Sequence, residues 1–236
     1  MTNMTRKTVM TSDGDSNTMS NHKSGNRKSG GMNAQRQQRV RLEISREAAR
    51  LFWEHGVATT SGEQIASAVG ISVRTLWRHF RNKESCAEPV LAQDVEECVA
   101  VLRRWPREVS LEDHLIEWAT NRTKDVEQQA YDEAVIKMTV LAEKEPDLRA
   151  AWLMTHDRIE RELVEIIADR LRRPSDDIEV RLHAAVTTAV LRVISEDVSA
   201  ALMSGADRAS IGNPIGRIAQ AVRVATGGVV GDPVDP

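Results

Sequence analysis

Apolar residues recur along this chain at spacings of three and four, and the pattern predicts helices almost throughout. Val40, Ile44, Ala48, Leu51 and Phe52 predict a first helix over about 35–55, ended by Gly56. In residues 61–83, SGEQIASAVGISVRTLWRHFRNK, two short helices flank a tight break. Ser61 caps the first, with Gln64 completing a capping box, and Ile65, Ala66 and Val69 form its apolar face. Gly70 suits the left-handed turn that ends it, and Ser72 caps the second. That second helix carries Val73, Leu76 and Phe80 on one stripe, with Trp77 near its edge. Arg74, Thr75, Arg78 and His79 lie off the stripe. Beyond residue 84 the periodicity predicts helices at about 84–104, 110–128, 129–144, 147–172, 176–204 and 214–226. Pro106, Pro146 and Pro174 punctuate them, and Pro214 sits at a permitted helix start.

Strand-like alternation of Val, Ile and Thr is scarce, so the fold class is all-α. The 236 residues suffice for a sizeable core. No apolar run approaches the roughly 20 residues of a membrane span, and the polar N-terminus has no apolar core of a secretion signal. Cys86 and Cys98 fall in one predicted helix about 18 Å apart, too far to bridge, which suggests reduced thiols and a cytoplasmic location.

A net charge of −3 first argues against a nucleic-acid partner. Its distribution argues the reverse: residues 1–41 hold eight Lys/Arg against two acids, a net +6, which leaves −9 for residues 42–236. Residues 1–33, rich in Ser, Thr, Asn, Gly and Lys, are expected to be a disordered basic extension. Lys23, Arg27 and Lys28 are its candidate DNA contacts; the alternative is a solvated tail, with Met10, Met19 and Met32 each offering a later start.

A short helix that is apolar inside and Arg/Thr/Trp/His-rich outside suits the major groove. From Ser72 onward, Val73, Arg74 and Thr75 are candidates for base edges, and Trp77, Arg78 and His79 for the backbone. Lys83, at the predicted start of the next helix, is a candidate phosphate contact, since helix N-termini favour anions. His79 lacks a second ligand at useful spacing for a metal.

The string Arg41, Ile44, Ala48, Leu51-Phe52, Gly56, Thr59-Thr60, Ile65-Ala66, Gly70-Ile71-Ser72, Thr75-Leu76-Trp77, Phe80 and Lys83-Glu84 resembles the DNA-binding domain of the tetracycline-repressor (TetR) family over roughly residues 36–88. Gly62, Val69, Trp77, Arg81 and Cys86 depart from the customary residues; Trp77 replaces a Tyr or Phe and puts a tyrosine–phosphate bond in doubt, although an indole N–H also donates. The resemblance implies that the first helix braces the reading helix, with Arg36, Arg39 and Arg41 near the DNA backbone, and that Thr59 or Thr60 meets a phosphate. Each could equally be a solvated charge or a turn former. It further implies the division 1–33 extension, 34–84 DNA-binding domain, 85–226 effector-binding and dimerisation domain and 227–236 frayed tail. The helices at 176–204 and 214–226 would form a homodimer interface, in keeping with the small-residue-rich apolar stretch around Ala184, Ala185, Thr188, Ala189, Val190, Ile194 and Val198.

For an effector cavity the candidate lining is Trp105, His114, Trp118, Tyr131, Met138, Leu141, Trp152, Met154 and His156; each is also a plausible plain core or surface residue. The function expected is a ligand-responsive transcriptional regulator without a cofactor, in most cases a repressor, that binds a palindromic operator as a dimer and is released by a small molecule. It would reside in the cytoplasm, on the nucleoid through its DNA contacts. Against an enzyme stands the absence of Gly-x-Ser-x-Gly, His-Glu-x-x-His, Cys-x-x-Cys or a phosphate-cradling Gly-rich loop; Cys86 sits where a core residue is expected. The remaining alternative is a non-enzymatic helical dimer or partner-binding protein with a weak or vestigial DNA module.

Overall fold

The computed structural model describes the backbone of residues 25–122, 125–207 and 211–234, and their side chains from Gln35 onward except Asp94 and Glu127. The described residues hold helices and no strand, as the spacing predicts. They are α1 (Gly25–His55), α2 (Gly62–Ala68), α3 (Val73–His79), α4 (Glu88–Leu102), α5 (Leu111–Asn121), α6 (Val126–Ala142), α7 (Pro146–Leu171), α8 (Ile178–Met203) and α9 (Pro214–Ala225), with one 3-10 turn at Glu84–Ala87. None is long and apolar enough to cross a membrane.

The described residues fall into two units, one ending at Gln38 and one beginning at Arg39. In the first, residues 25–38 are helical and Gln35–Gln38 are exposed. The helix therefore begins about ten residues ahead of the expected start, where the sequence offers no apolar stripe to announce it. Once a helix is nucleated, each added residue gains one bond, so α1 runs on through polar sequence. Lys23 lies outside the described residues, and so do the side chains of Arg27 and Lys28.

In the second unit the break expected between residues 84 and 85 is not a break in packing. Ile44, Phe52, Ile65, Leu76 and Phe80 share one core with Leu91 of α4, Met138 and Ala142 of α6, and Leu148 and Trp152 of α7. Residues more than sixty positions downstream thus seal the helix-turn-helix. A second core joins Val95, Val99 and Leu102 of α4 to Ile159, Leu163 and Ile167 of α7, Val180 and Ala184 of α8, and Val222 of α9.

Helix ends follow local chemistry. The expected helix over 110–128 divides at Arg122, whose backbone is extended, and Asp125 caps α6 by accepting from the Gln128 N–H at 2.8 Å. Arg172 closes α7 in the left-handed conformation ahead of Pro174. The tail expected to fray is pinned instead. Gly231 and Arg107 carbonyls accept from the Leu111 and Val234 N–H groups at 2.8 Å, and Val230 is buried. Arg170, almost wholly buried, donates to the carbonyls of Pro106, Arg107, Val109 and Asp232 and lies 3.5 Å over the Trp105 ring. Burial lowers its pKa to about 10, and it remains charged at neutral pH.

Candidate nucleic-acid interface and ligand cavity

The helix-turn-helix is built as its sequence reads. The Ser61 hydroxyl accepts from the Gln64 N–H at 3.2 Å, and the Gln64 side chain accepts from the Ser61 N–H at 2.7 Å. Gly70 adopts φ +67°, and the Ile71 N–H reaches back to the Ala66 carbonyl at 2.9 Å. The Ser72 hydroxyl then accepts from the Thr75 N–H at 3.1 Å and pairs with the Thr75 hydroxyl at 2.9 Å. Leu76 and Phe80 are sealed inside, while Ser72, Arg74, Trp77 and Arg78 are exposed and Thr75 and His79 half-buried. Val73 sits at the margin: it packs against the core and leaves only part of its surface for a base.

Behind α3, the residues expected at phosphates are occupied by the protein itself. Lys83 is the clearest case. Its ammonium donates to the carbonyls of Val57, Ala58 and Thr60 at 2.6, 3.2 and 2.9 Å, which uses all three N–H bonds. It ties the loop before α2 to the start of the 3-10 turn. Thr60 is buried, and its hydroxyl donates back toward the Gly56 and Leu51 carbonyls. Thr59 is exposed, but its hydroxyl turns to the His55 and Gly56 carbonyls. Arg41 donates to the His79 carbonyl and stacks 4.6 Å over Phe80, bracing the C-terminus of α3. Burial, then Arg78 and Arg41, hold the His79 imidazole below its ordinary pKa, so it is neutral near pH 7 in the free protein. Buried Ser45, which the sequence did not single out, accepts from the Val90 N–H at 3.0 Å and joins α1 to α4.

A cavity of about 520 Å³ lies among α6, α7, α8 and the approach to α9. Its lining includes the apolar Val135, Ile136, Val198 and Leu202 and the hydroxyl-bearing Thr139, Ser195 and Ser199, drawn from both α6 and α8. At one end the Arg122 guanidinium pairs with Glu97 at 2.8 Å and Asp132 at 3.3 Å. Of the aromatic and Met residues expected here, Trp152 reaches the wall. Its indole donates to Glu196 at 2.9 Å, and the same carboxylate pairs with Arg149 and Arg192. Burial alone would raise the Glu196 carboxyl, but Trp152 and Arg149 overcome it and hold it low.

The other candidates do not line this cavity. Trp105 packs in the second core, beside Arg170 in a smaller cavity of about 280 Å³. Trp118 is half-buried beneath Arg122. Tyr131 donates to the Val90 carbonyl at 2.8 Å and faces a groove of about 250 Å³ with Arg46, Arg50 and Lys137. Met138 is fully buried in the first core, and Leu141 packs against it. Met154 is exposed, and His156 is buried, its ring centroid 4.2 Å from that of Trp152 in an edge-to-face arrangement. His114 bonds the Val101 carbonyl at 2.9 Å. For Trp105, Met138 and Leu141 the physical reason is shared: large apolar side chains fill space, so they end in the core. The open volume is left beside small and β-branched side chains. The spacing of Ser195, Val198, Ser199 and Leu202 on one side of α8 was the available signal.

Burial pushes the Cys86 thiol up to about 12, so it is not a nucleophile at neutral pH. Among the described residues no group of His, Cys, Asp and Glu could hold a metal ion.

Comparison with known proteins decides the lineage. The model for bacterial regulatory proteins of the tetR family matches residues 44–90. HTH-type transcriptional regulator TcmR of Streptomyces glaucescens is 34% identical over 172 residues, covering 71% of this chain and 76% of TcmR. The chain belongs to the TetR family. It is accordingly a helix-turn-helix, DNA-binding transcriptional regulator and not an enzyme. HTH-type transcriptional regulator UidR of Escherichia coli K12 is 25% identical over 158 residues, 65% of this chain and 76% of UidR. Among solved structures, Salmonella enterica GusR aligns with a TM-score of 0.51 at 24% identity, over 80% of this chain and 94% of GusR, a likeness of fold. Within this TetR-family chain, Ser72, Arg74, Trp77 and Arg78 form the exposed face of the second helix of the motif, and Lys83, Thr60 and Arg41 form its support.

Proposed function

We propose that this regulator is a homodimeric repressor that reads a palindromic operator through α3 and is released by a small molecule bound in the 520 Å³ cavity. The observation that carries the reading is the outward face of α3: Arg74 and Arg78 are exposed and paired to no carboxylate among the described residues, above an inward face sealed by Leu76 and Phe80. Arg74 and Thr75 meet base edges, and Arg78, Trp77 and a protonated His79 meet the backbone. One module makes few base contacts, so two must act together.

The dimer reading is supported by an apolar face on the last two long helices. Ile178, Leu182 and Val193 on α8 and Val224 on α9 are all more than half exposed. Single exposed apolar residues are ordinary; a run at helical spacing on two neighbouring helices suits a two-fold interface. Coupling would pass through α6. Asp132, Val135, Ile136 and Thr139 face the cavity, while Met138 and Ala142 sit in the core of the helix-turn-helix. A ligand that displaces α6 would therefore change the spacing of the two α3 helices. DNA must then weaken ligand binding by the same factor. The cavity takes a molecule without a cofactor's reactive chemistry, and the regulator would work in the cytoplasm, on the nucleoid.

The test is selection of random duplex DNA by the purified protein at about 0.15 M salt, which suppresses loose electrostatic binding. A palindrome with half-sites about one helical turn apart, or a little more, is expected. No enriched sequence from a folded protein would overturn the operator reading, and an enriched single half-site would overturn the dimer.

A further inference from the structure

Gly62 opens α2 at a position where glycine weakens a helix relative to other residues. It is buried, and a Cβ built on it would lie 2.2 Å from Trp77 Cζ2 and 2.7 Å from Cη2. Ordinary carbon contacts are about 3.5–4.0 Å, so no side chain fits at residue 62 while the indole keeps its place. Gly62 and Trp77 were separate departures in the sequence; the structure makes them one feature, a bare backbone under a large ring.

The ring is not there to fill the core. Trp77 is 42% exposed. Its indole N–H has no partner among the described residues. It lies one helical turn from Arg74 and next to Arg78, both exposed. A donor held by backbone contact, left unpaired and flanked by cations is pre-organised for an anion. Resting on the reading of α3 as the DNA-facing helix, we infer that Gly62 is a positioning residue: it seats the Trp77 indole, locks α3 onto α2, and holds the indole N–H ready for a DNA phosphate. Because Trp77 is half-exposed, a side chain at 62 has an escape: the ring swings into solvent. The consequence falls on DNA binding more than on folding.

The experiment is a double-mutant cycle on the full chain with G62A, W77A, G62A/W77A and W77F, each measured by thermal unfolding and by titration of the selected operator and of random duplex at several salt concentrations. G62A is expected to weaken operator binding on the order of tenfold with a smaller change in Tm. In the W77A background the same substitution should leave affinity unchanged, since the seat has no occupant, and raise Tm slightly, since alanine is the better helix former. W77F keeps a ring and loses the donor; it should weaken operator and random duplex by the same factor while leaving the salt dependence unchanged, since the indole is neutral and releases no counterion. Equal losses from G62A in both backgrounds, or wild-type affinity in G62A, would overturn the pairing. Coupling in Tm without coupling in affinity would reduce the pair to a packing contact, and wild-type affinity in W77F would remove the phosphate role. A folded protein that binds no duplex would sink the underlying DNA reading, while the Tm cycle would still report the packing.

Discussion

The helix-turn-helix and the helical body are made of similar residues but assembled on different length scales. In the module, caps, turn and reading face all come from residues 61–80, and each cap and turn contact spans a few positions. In the body, one cavity draws on residues 122 to 214, and one guanidinium, Arg170, joins carbonyls from residues 106 to 232. A substitution on the reading face should therefore have one consequence. A substitution in the support or the body should have several. Arg74 and Lys83 show the difference within nine residues: both are cations, yet one is free at the surface and the other has spent its donors on three carbonyls.

The largest effect is expected in the body. Leu182→Glu places a charge in the exposed apolar face of α8 and should convert the protein to monomers, with operator affinity falling at least a hundredfold because the second module is lost. Sedimentation and operator titration check this; a dimer that persists would move the interface elsewhere. Next is Lys83→Met, which keeps the stem and removes the donors. It should cost about 1–3 kcal/mol of stability by leaving loop carbonyls without their donor, or roughly 2–12 °C in Tm for a chain of this size. Unchanged Tm with a salt slope reduced by about one would make Lys83 a phosphate contact after all and break the comparison.

Arg74→Ala should leave Tm unchanged and cost about 1–3 kcal/mol in operator affinity, with relaxed preference at one base pair per half-site. Equal loss on operator and random duplex would instead put Arg74 on the backbone. The smallest effect concerns His156. Burial, opposed by its bond to the Trp152 carbonyl, depresses its pKa, so the folded state resists its protonation. Stability is then intact above the ordinary imidazole pKa of about 6.5 and declines as pH falls below it. His156→Gln should flatten that decline between about pH 7 and pH 5 in urea unfolding. An unchanged decline would assign the pH dependence to other groups.

What could be read without coordinates was whatever the chain settles over a few residues. The caps at Ser61 and Ser72, the left-handed Gly70, the inward Leu76 and Phe80 and the exposed Arg74 and Arg78 all follow from neighbours within a helical turn or two, where residue type and spacing leave few alternatives. The lineage was legible for the same reason, because its signature lies in that stretch. The roles of Lys83, Thr60 and Arg41 were not legible. A donor near a predicted DNA surface looks alike whether its bond goes to a phosphate or to a carbonyl 23 residues away. The walls of the cavity were not legible either, because a sequence shows which residues are large and apolar but not which volume stays empty once they pack. That volume, the pinned tail, the joining of module and body in one core, and the fit of Trp77 onto Gly62 were decided by tertiary structure, since each depends on where distant segments meet and none on local preference.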